Sequence, residues 1–367
     1  MFLLPQGLFE CCSSTSSGKP EFLEKEKLVS ARPASNLQVS SSGTLDLYFQ
    51  RWESDRRQRI RAVVFIHHGE TEHATWYNVL AVRLASLGCM SLAMDAQGFG
   101  QSDGARGYFE TFEEVKDDFI GFVKSKWQEV VQKSHGEVPG LVFVAKGFGA
   151  LLLLHALPEI KALAQEKGVM PVLLLLSPGL QFNSFIGDQG NVSCGLNSSQ
   201  CASQPLAQCA RAPMSLGPSA DGQTLEYLSR WFPKMIVTDP VDPDMVCRDP
   251  QAIDRMSRDA LVWRQGYRAR VLAEILQEQC RLLTMIEQKP DAFACPAMIL
   301  HGSCDKLYSA KGSLAFHRLW CQNVGAENVA GTLPVLKIYD GAYHQLLNEP
   351  NRDEIIRDII AFVLSGI

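Results

Sequence analysis

The sequence predicts an α/β fold: a mostly parallel central sheet that is flanked by helices and interrupted by an inserted helical cap. From about residue 40 onward, short apolar runs typical of buried strands alternate with longer amphipathic segments typical of helices. The alternation stops between about 179 and 290, where a stretch rich in Ser, Gly, Cys and Gln precedes helical segments. Because α/β sheets place their sites at the carboxyl ends of the strands, we expect the inserted block to cover that edge.

The individual elements follow from these two periodicities. Buried strands are predicted at 45–52, 62–67, 90–94, 141–145, 171–176, 296–300 and 335–339. Flanking helices are predicted at 75–87, 112–132, 148–166, 312–321 and 352–365. The chain therefore divides into a disordered leader (1–36), a first core part (37–178), the cap (179–290) and a second core part (291–367). We predict that the leader is disordered because it is rich in Ser, Lys and Glu and shows no periodic pattern of apolar residues.

Composition and charge exclude several classes of function. Hydrophobic residues make up 46% and charged residues 20% of the 367 residues, which is ordinary for a globular protein. The net charge of −5 gives no electrostatic support to a nucleic-acid partner. No apolar run reaches the roughly 18–20 residues that span a bilayer. The N-terminus has no positive region ahead of its apolar patch, which argues against a cleaved signal peptide.

The cysteines favour a cytoplasmic protein with reduced thiols. There are eleven of them, an odd number, and they form no CxxC pair, so we expect neither a metal nor another cofactor. Two alternatives stay open, secretion and membrane association through acylation. Secretion rests on two sequons and three cysteines in the insert 187–220, and acylation on two leader cysteines: Asn191, Asn197, Cys194, Cys201, Cys209, Cys11 and Cys12.

The segment LVFVAKGFGALLLLHAL (141–157) is typical of a buried strand, a tight turn and a buried helix in direct succession. In α/β enzymes a turn of this kind presents a nucleophilic serine at its tip. Here the tip is Gly147, which lies between Lys146 and Phe148. Glycine accepts the left-handed backbone of such a tip without steric cost. We therefore expect the turn to be kept and the nucleophile to be lost.

Four further segments resemble the monoacylglycerol lipase-like (serine aminopeptidase S33-type) family of α/β-hydrolases. FIHHGETEH (65–73) is similar to the family's strand-end HG turn followed by Glu-His. MDAQGFGQSDGARGYF (94–109) is similar to its D-x-x-G-x-G-x-S-x-G loop. LHGSCDKL (300–307) matches HGxxD, and IYDGAYHQLLNEP (338–350) matches the highly specific element YDGxYHxLLNEP. The resemblance implies the α/β-hydrolase fold.

The resemblance extends to the cap, where SRDALVWRQGYRARVLAEIL (257–276) is similar to the family's lid. Altogether it covers roughly residues 40–366. It implies a serine hydrolase fold that acts on a small acyl-ester or lipid ligand. A lid of this kind also leaves open a peripheral contact between the cap and a membrane.

Carried over residue by residue, the resemblance implies Asp305 as the catalytic acid and His344 as the catalytic base. A carboxylate at a strand end can reach an imidazole and fix its tautomer, and the order of nucleophile, acid and base fits this fold. The alternatives are a helix-capping role for Asp305 and a satisfied loop role for His344. The family pattern G-H-S-M-G-G aligns with residues 145–150, which puts Gly147 at the nucleophile position.

The oxyanion hole would consist of the backbone N–H groups of Glu70 and Phe148. Glu70 places a carboxylate where lipases of the family carry an apolar residue, and Lys146 is a second charge at the same mouth. Two arrangements stay open. Either the two side chains pair across the pocket entrance, or both point into solvent.

A literal GxSxG motif occurs at residues 100–104, with Ser102 at its centre. The preceding strand ends near Asp95, several residues too early for an elbow, and no buried helix follows. We therefore expect Ser102 to make loop hydrogen bonds and not to act as a nucleophile.

Three functions stay open at this stage. The first is an acyl-ester hydrolase fold whose own activity is absent or very weak, since loss of a triad nucleophile lowers kcat by about 10⁶. The second is a non-catalytic protein whose capped pocket holds a lipid or whose cap binds a partner. The third is an esterase in which His344 activates water directly.

Overall fold

The computed structural model describes residues 36–53, 59–134, 137–182, 222–324 and 333–367. Its centre is an eight-stranded sheet in the order β1-β2-β4-β3-β5-β6-β7-β8, in which β1 and β2 are antiparallel and β3 to β8 are parallel. The strands are β1 (Asn36–Val39), β2 (Asp46–Trp52), β3 (Ala62–His67), β4 (Cys89–Met94), β5 (Gly140–Gly147), β6 (Pro171–Pro178), β7 (Ala297–Gly302) and β8 (Val335–Tyr339). The predicted fold class is confirmed.

Strand β1 is the one strand of the described residues that sequence reasoning missed. It has only four residues, NLQV, and Asn36 is the last residue assigned to the predicted leader. Its antiparallel register with β2, Asn36 opposite Phe49, holds it at the edge of the sheet. A strand this short gives too few alternations to be recognised in the sequence, because pairing and not periodicity creates it.

Five helices flank the sheet, the first of them preceded by a 3₁₀ turn at Ala74–Tyr77. They are α1 (Asn78–Ser86), α2 (Phe112–Lys133), α3 (Phe148–Gln165), α8 (Ala310–Val324) and α9 (Arg352–Ser365). Helix α2 begins where Thr111 caps it, since the Thr111 hydroxyl accepts the Glu114 N–H at 3.2 Å. All residues of β3, β4 and β6 are buried. Such runs, apolar on both faces, are what a parallel sheet covered on both sides requires.

Between β6 and β7, the described residues form helices and no strand. These are α4 (Gly222–Trp231), α5 (Pro243–Val246), α6 (Pro250–Arg258) and α7 (Ala269–Gln288), followed by a 3₁₀ turn at Pro290–Phe293. Helix α7 packs on α3 and α2 with its buried face, which includes Leu272, Ile275 and Leu282. The predicted leader up to residue 35, both sequons and the cysteines of the insert 187–220 lie outside the described residues. No helix within the described ranges is both long and apolar enough to cross a membrane.

Candidate active site

The turn between β5 and α3 has the geometry of a strand-to-helix elbow. Strand β5 ends at Gly147 and α3 begins at Phe148, with Gly147 at φ 51° and ψ −125°. This left-handed φ favours glycine. A Cβ on Gly149 would lie 2.5 Å from His67 Nδ1 and from the His68 carbonyl oxygen, so the close packing of helix on strand requires glycine there too. The small residues of the segment thus make the turn possible.

Asp305 and His344 are brought together by the loops that follow β7 and β8. His344 Nδ1 lies 2.8 Å from Asp305 Oδ2, and both side chains are buried. Asp305 Oδ1 accepts the backbone N–H groups of Leu307 at 2.8 Å and Tyr308 at 3.0 Å. Burial opposes ionisation of Asp305, but His344 and His301 outweigh it and hold the pKa of the carboxyl well below its usual range. The carboxylate is therefore ionised and can orient the imidazole.

The second ring nitrogen of His344 faces the site without a protein partner. Its Nε2 is buried and has no hydrogen-bond partner among the described residues. The backbone of His344 is fixed by Ser177, whose hydroxyl donates to the His344 carbonyl oxygen at 3.0 Å. Ser177, at the end of β6, has φ 42°, the one positive φ outside glycine in the described chain. Strain of this kind is found where the surroundings over-determine a functional geometry.

The Glu70 carboxylate fills the space in front of the elbow. Its Oε2 accepts the Phe148 N–H at 3.1 Å, and its Oε1 accepts the hydroxyls of both Tyr267 and Tyr308. A Cβ built on Gly147 would lie 2.6 Å from Glu70 Oε2. The side chain is 6% exposed, so it does not point into solvent. The Phe148 N–H, one of the two predicted oxyanion donors, is therefore bound to the side chain of Glu70. The backbone N–H of Glu70 is the other predicted donor.

Lys146 pairs with Glu72 and not with Glu70. Lys146 Nζ lies 2.9 Å from Glu72 Oε2, and Glu72 Oε1 accepts the Gly69 N–H at 2.9 Å and the Tyr77 hydroxyl. Lys146 is 1% exposed, so both arrangements predicted for it, pairing with Glu70 and pointing into solvent, are wrong. The physical reason is burial, since a charge inside the protein needs a close partner of opposite sign. Burial opposes ionisation of Glu72, but Lys146 holds its pKa at about 2.

Tyr308 lies close both to His344 and to the elbow at Gly147. Its ring lies 5.6 Å from the His344 ring between centroids, and its Cε2 would lie 3.5 Å from a Cβ on Gly147. The cleft that reaches Glu70 from the cap is lined by residues that include Trp263, Tyr267 and Val241, and its volume is about 20 Å³. A water needs about 10–15 Å³, whereas ligand pockets usually have about 300–1,000 Å³. As formed by the described residues, this cleft therefore has room for water but not for an acyl chain.

Ser102 lies in a loop and is bound on both sides. Its hydroxyl donates to the Asp95 carbonyl oxygen at 2.6 Å and accepts the Tyr48 N–H at 2.8 Å. The first contact ties the loop to the end of β4, and the second ties it to the antiparallel strand β2. The hydroxyl thus has the local hydrogen bonds expected for it.

Sequence reasoning missed Glu72, Ser177, Tyr267 and Tyr308. Glu72 stands in the same Glu-His pair that carried the family resemblance, and Tyr308 directly follows the recognised segment LHGSCDKL (300–307). Tyr267 lies in the lid-like segment with no distinguishing pattern around it. Among the described residues, no group of three or more His, Cys, Asp and Glu side chains could hold a metal ion.

An elbow after the central strand, an acid after β7 and a histidine after β8 define the fold and site arrangement of an α/β-hydrolase. Residues 58–351 match the family model described as "Serine aminopeptidase, S33", and the chain belongs to that family. It is 25% identical over 325 residues to "Monoacylglycerol lipase" of Mycolicibacterium smegmatis, which covers 89% of this chain and 95% of that relative. It is 26% identical over 291 residues to "Monoglyceride lipase" of Homo sapiens, which covers 79% of this chain and 77% of the relative.

Solved structures of lipases share the fold. A monoglyceride lipase variant from Saccharomyces cerevisiae in complex with a substrate analog superposes with a TM-score of 0.66 at 15% identity, covering 90% of this chain and 94% of that one. The monoacylglycerol lipase of Paleococcus ferrophilus gives a TM-score of 0.61 at 20% identity, covering 88% and 99%. The α/β-hydrolase fold is thus established for this chain.

Proposed function

We propose that this protein is a monoacylglycerol lipase-like member of the family whose own acyl-ester hydrolysis is absent or very weak. The reason is that the elbow carries Gly147 in place of a serine. The substrate class to which the fold relates, acyl esters of lipids, is supported by the names of the relatives. Asp305 and His344 are proposed as the acid and base of a triad that lacks its nucleophile.

The observation that carries the proposal is the position of the Glu70 carboxylate. It takes up the Phe148 N–H that would stabilise a developing oxyanion, and Oε2 lies 2.6 Å from the place of a Cβ on Gly147. A substrate carbonyl would have to displace an ionic group bound by three donors. Even then, the nearby negative charge would oppose the charge that develops in the transition state. Both the attacking atom and its electrostatic support are therefore missing.

A fluorophosphonate probe tests the proposal directly, because it labels activated serines. We expect no labelling of the wild-type protein and no hydrolysis of monoacylglycerol or p-nitrophenyl esters above background. Peptide mass spectrometry locates any label. Stoichiometric labelling at Ser102, or at any other serine, would contradict the proposal.

A direct role of His344 with water is the catalytic alternative. It is supported by the buried His344 Nε2, which has no partner in the described chain and could take a proton from water. This alternative predicts slow ester hydrolysis without covalent labelling. His344→Ala would abolish that activity, whereas a wild-type rate equal to that of His344→Ala excludes the alternative.

A non-catalytic role at a lipid surface is the second candidate function, and one feature of the cap favours it. Helix α4 and the segment after it expose large apolar side chains, with relative exposures of 57% for Tyr227, 62% for Trp231, 53% for Phe232 and 51% for Met235. Aromatic side chains beside Arg230 and Lys234 suit the interface of an anionic membrane. The protein would then be cytoplasmic and bind the membrane peripherally.

Vesicle co-sedimentation distinguishes this role. We expect wild-type protein to sediment with phosphatidylserine-containing vesicles and the variant Trp231→Ser/Phe232→Ser to stay in the supernatant. The matched control is Leu37→Ser/Val39→Ser, which removes two similarly exposed apolar side chains (63% and 58%) at the opposite edge strand β1. Equal sedimentation of the two variants would exclude the cap as the contact surface.

A further inference from the structure

The donors around Glu70 have the arrangement of a recognition site for a carboxylate. They come from three separate parts of the chain: Tyr267 from the cap ahead of α7, Tyr308 from the loop after β7, and the Phe148 N–H from the start of α3. Two hydroxyls meet one oxygen of the carboxylate, and the backbone N–H meets the other. Hydrogen bonds to an ionised acceptor are about twice as strong as neutral ones. A group with two anionic oxygens therefore satisfies all three donors, which a single carbonyl oxygen does not.

The two phenols are fixed as donors. Burial, together with the charge of Glu70, raises the pKa of both Tyr267 and Tyr308 well above the ordinary value, so both stay protonated. The Phe182 ring stacks on Tyr308 at 4.8 Å and meets Tyr267 edge-on at 5.4 Å between centroids. The rings are thus held in place by packing, and their hydroxyls do not depend on Glu70 alone for their orientation.

We propose that Tyr267, Tyr308 and the Phe148 N–H form a carboxylate-binding site whose resident ligand is Glu70. The site takes a free carboxylate, such as a small organic acid or the head group of a fatty acid, when the Glu70 side chain is absent. This inference rests on the proposed function, because a serine at position 147 would need the same space.

The resident ligand should keep free carboxylates out of the wild-type site. Glu70 is tethered to the chain, so its effective concentration at the site is far above that of any free acid in solution. A neutral ester carbonyl competes even less well, since it offers a weaker acceptor to the same donors. The wild-type protein should therefore show no response to added carboxylate.

Acetate tests the inference, because Glu70→Ala removes Cγ, Cδ and both oxygens, and acetate consists of the same four heavy atoms. We expect saturating acetate to raise the Tm of Glu70→Ala by about 2–4 °C over an equal concentration of sodium chloride. Wild-type protein should not respond, and acetamide, which is neutral and of the same shape, should not replace acetate. A folded Glu70→Ala variant that ignores acetate, or that responds equally to acetamide, overturns the proposal.

Second-site variants locate the response. Adding Tyr267→Phe or Tyr308→Phe to Glu70→Ala should abolish the acetate effect. The control is Tyr339→Phe added to Glu70→Ala, which should leave the acetate effect unchanged. It also removes a tyrosine–carboxylate bond, since the hydroxyl of Tyr339 on β8 donates to Asp358 Oδ2 at 2.5 Å. Loss of the response in all three variants alike would overturn the assignment of the donors.

Folding itself provides a further readout if Glu70→Ala is unstable. The refolding yield of the variant should then be higher in acetate than in acetamide, and equal yields would overturn the proposal. None of these results depends on labelling. Wild-type protein that reacts with a fluorophosphonate would contradict the proposed function, whatever acetate does.

Discussion

At the acid–base side of the candidate site, His344 Nδ1 lies 2.8 Å from Asp305 Oδ2 in the geometry that an active hydrolase needs. At the elbow side, Gly147 offers no attacking atom, and the Glu70 carboxylate accepts the N–H of Phe148, a predicted oxyanion donor. The first half thus has the contact predicted for an acid and a base, whereas the second half lacks a nucleophilic side chain. The two halves therefore have to be explained by different physical requirements.

The acid–base half is also structural. Asp305 accepts two backbone N–H groups besides His344, and His301 Nε2 lies 3.1 Å from the same carboxylate. Removing the carboxylate would leave several buried donors unsatisfied, at about 1–3 kcal/mol for each. The presence of Asp305 and His344 thus does not by itself require turnover.

In the elbow half, the buried charged side chains form two separate hydrogen-bonded sets. Glu70 is satisfied by two tyrosines and one backbone N–H, and Glu72 by Lys146, Tyr77 and the Gly69 N–H. Each set is buried and complete among the described residues, as buried ionic groups must be. The elbow therefore differs from that of a serine hydrolase by more than the missing serine. Its polar groups are rearranged around stable carboxylates.

The largest effect is expected from restoring the elbow half in two places at once. Gly147→Ser/Glu70→Ala supplies an attacking oxygen and frees both the space and the Phe148 N–H. We expect hydrolysis of p-nitrophenyl acetate at least about 10²-fold above wild type, since a complete triad contributes about 10⁶ to kcat. Fluorophosphonate labelling should appear at position 147.

Gly147→Ser alone tests whether the missing serine is the whole reason for the lack of activity, or whether Glu70 also blocks the site. Its Cβ would meet Glu70 Oε2 at 2.6 Å, and Glu70 is held by three donors, so we expect no gain in rate. The control for the double variant is Gly147→Ser/Glu70→Ala/His344→Ala, which should return to the wild-type rate. A single variant as active as the double would show that Glu70 does not block the site.

The second prediction concerns the buried ion pair of the elbow half. Lys146→Met leaves the Glu72 carboxylate buried without its cation, and we expect the free energy of unfolding to fall by about 3–5 kcal/mol. Lys146→Met/Glu72→Gln removes both charges and should recover most of that loss. The measurement is urea unfolding, followed by circular dichroism.

An exposed pair provides the matched control. Lys133 Nζ lies 2.7 Å from Glu129 Oε1 on α2, with side-chain exposures of 70% and 38%. Lys133→Met should change the free energy of unfolding by no more than about 1 kcal/mol. Similar losses for the two lysines would mean that Glu72 is not held in place by Lys146.

The fold and the acid–base half could be predicted from the sequence because their signals are local. Strands β3 to β8 are short apolar runs, the helices have regular amphipathic periods, and Asp305 and His344 stand within specific motifs. The destination of Glu70 could not be predicted, since its partners Tyr267 and Tyr308 lie 197 and 238 positions further along the chain. Whether Lys146 pairs with Glu70 or with Glu72 depends on the directions in which the backbone turn points the two glutamate side chains. No periodicity in the sequence predicts those directions.

The third prediction uses pH to compare the ion pair with its neutral replacement. The pKa of Glu72 is about 2 in the folded protein, below its ordinary value of 4.5, so its contribution to stability is complete above about pH 4.5. That contribution is lost as the pH falls towards 2. Between pH 5 and pH 3 we therefore expect wild type to lose about 2 kcal/mol more than Lys146→Met/Glu72→Gln. Urea midpoints at each pH measure the difference, and parallel pH profiles of the two proteins would contradict it.

The smallest effect is expected at Ser177, on the acid–base side. Its φ of 42° strains any residue except glycine, and its hydroxyl bond to the His344 carbonyl contributes about 0.5–1.5 kcal/mol. Ser177→Ala loses the bond and keeps the strain, whereas Ser177→Gly loses the bond and relieves the strain. We therefore expect Ser177→Gly to be more stable than Ser177→Ala by about 1 kcal/mol in urea unfolding.

The same pair of variants shows whether the bond matters for His344 as well as for stability. Placed in Gly147→Ser/Glu70→Ala, both should lower ester hydrolysis by a similar factor, because both remove the Ser177 hydroxyl bond to the His344 carbonyl oxygen. The loss of hydrolysis rate would then be due to the missing Ser177 hydroxyl. The difference in stability between the two variants would be due to backbone strain. If neither variant lowered the rate, the Ser177 hydroxyl would have no part in positioning His344.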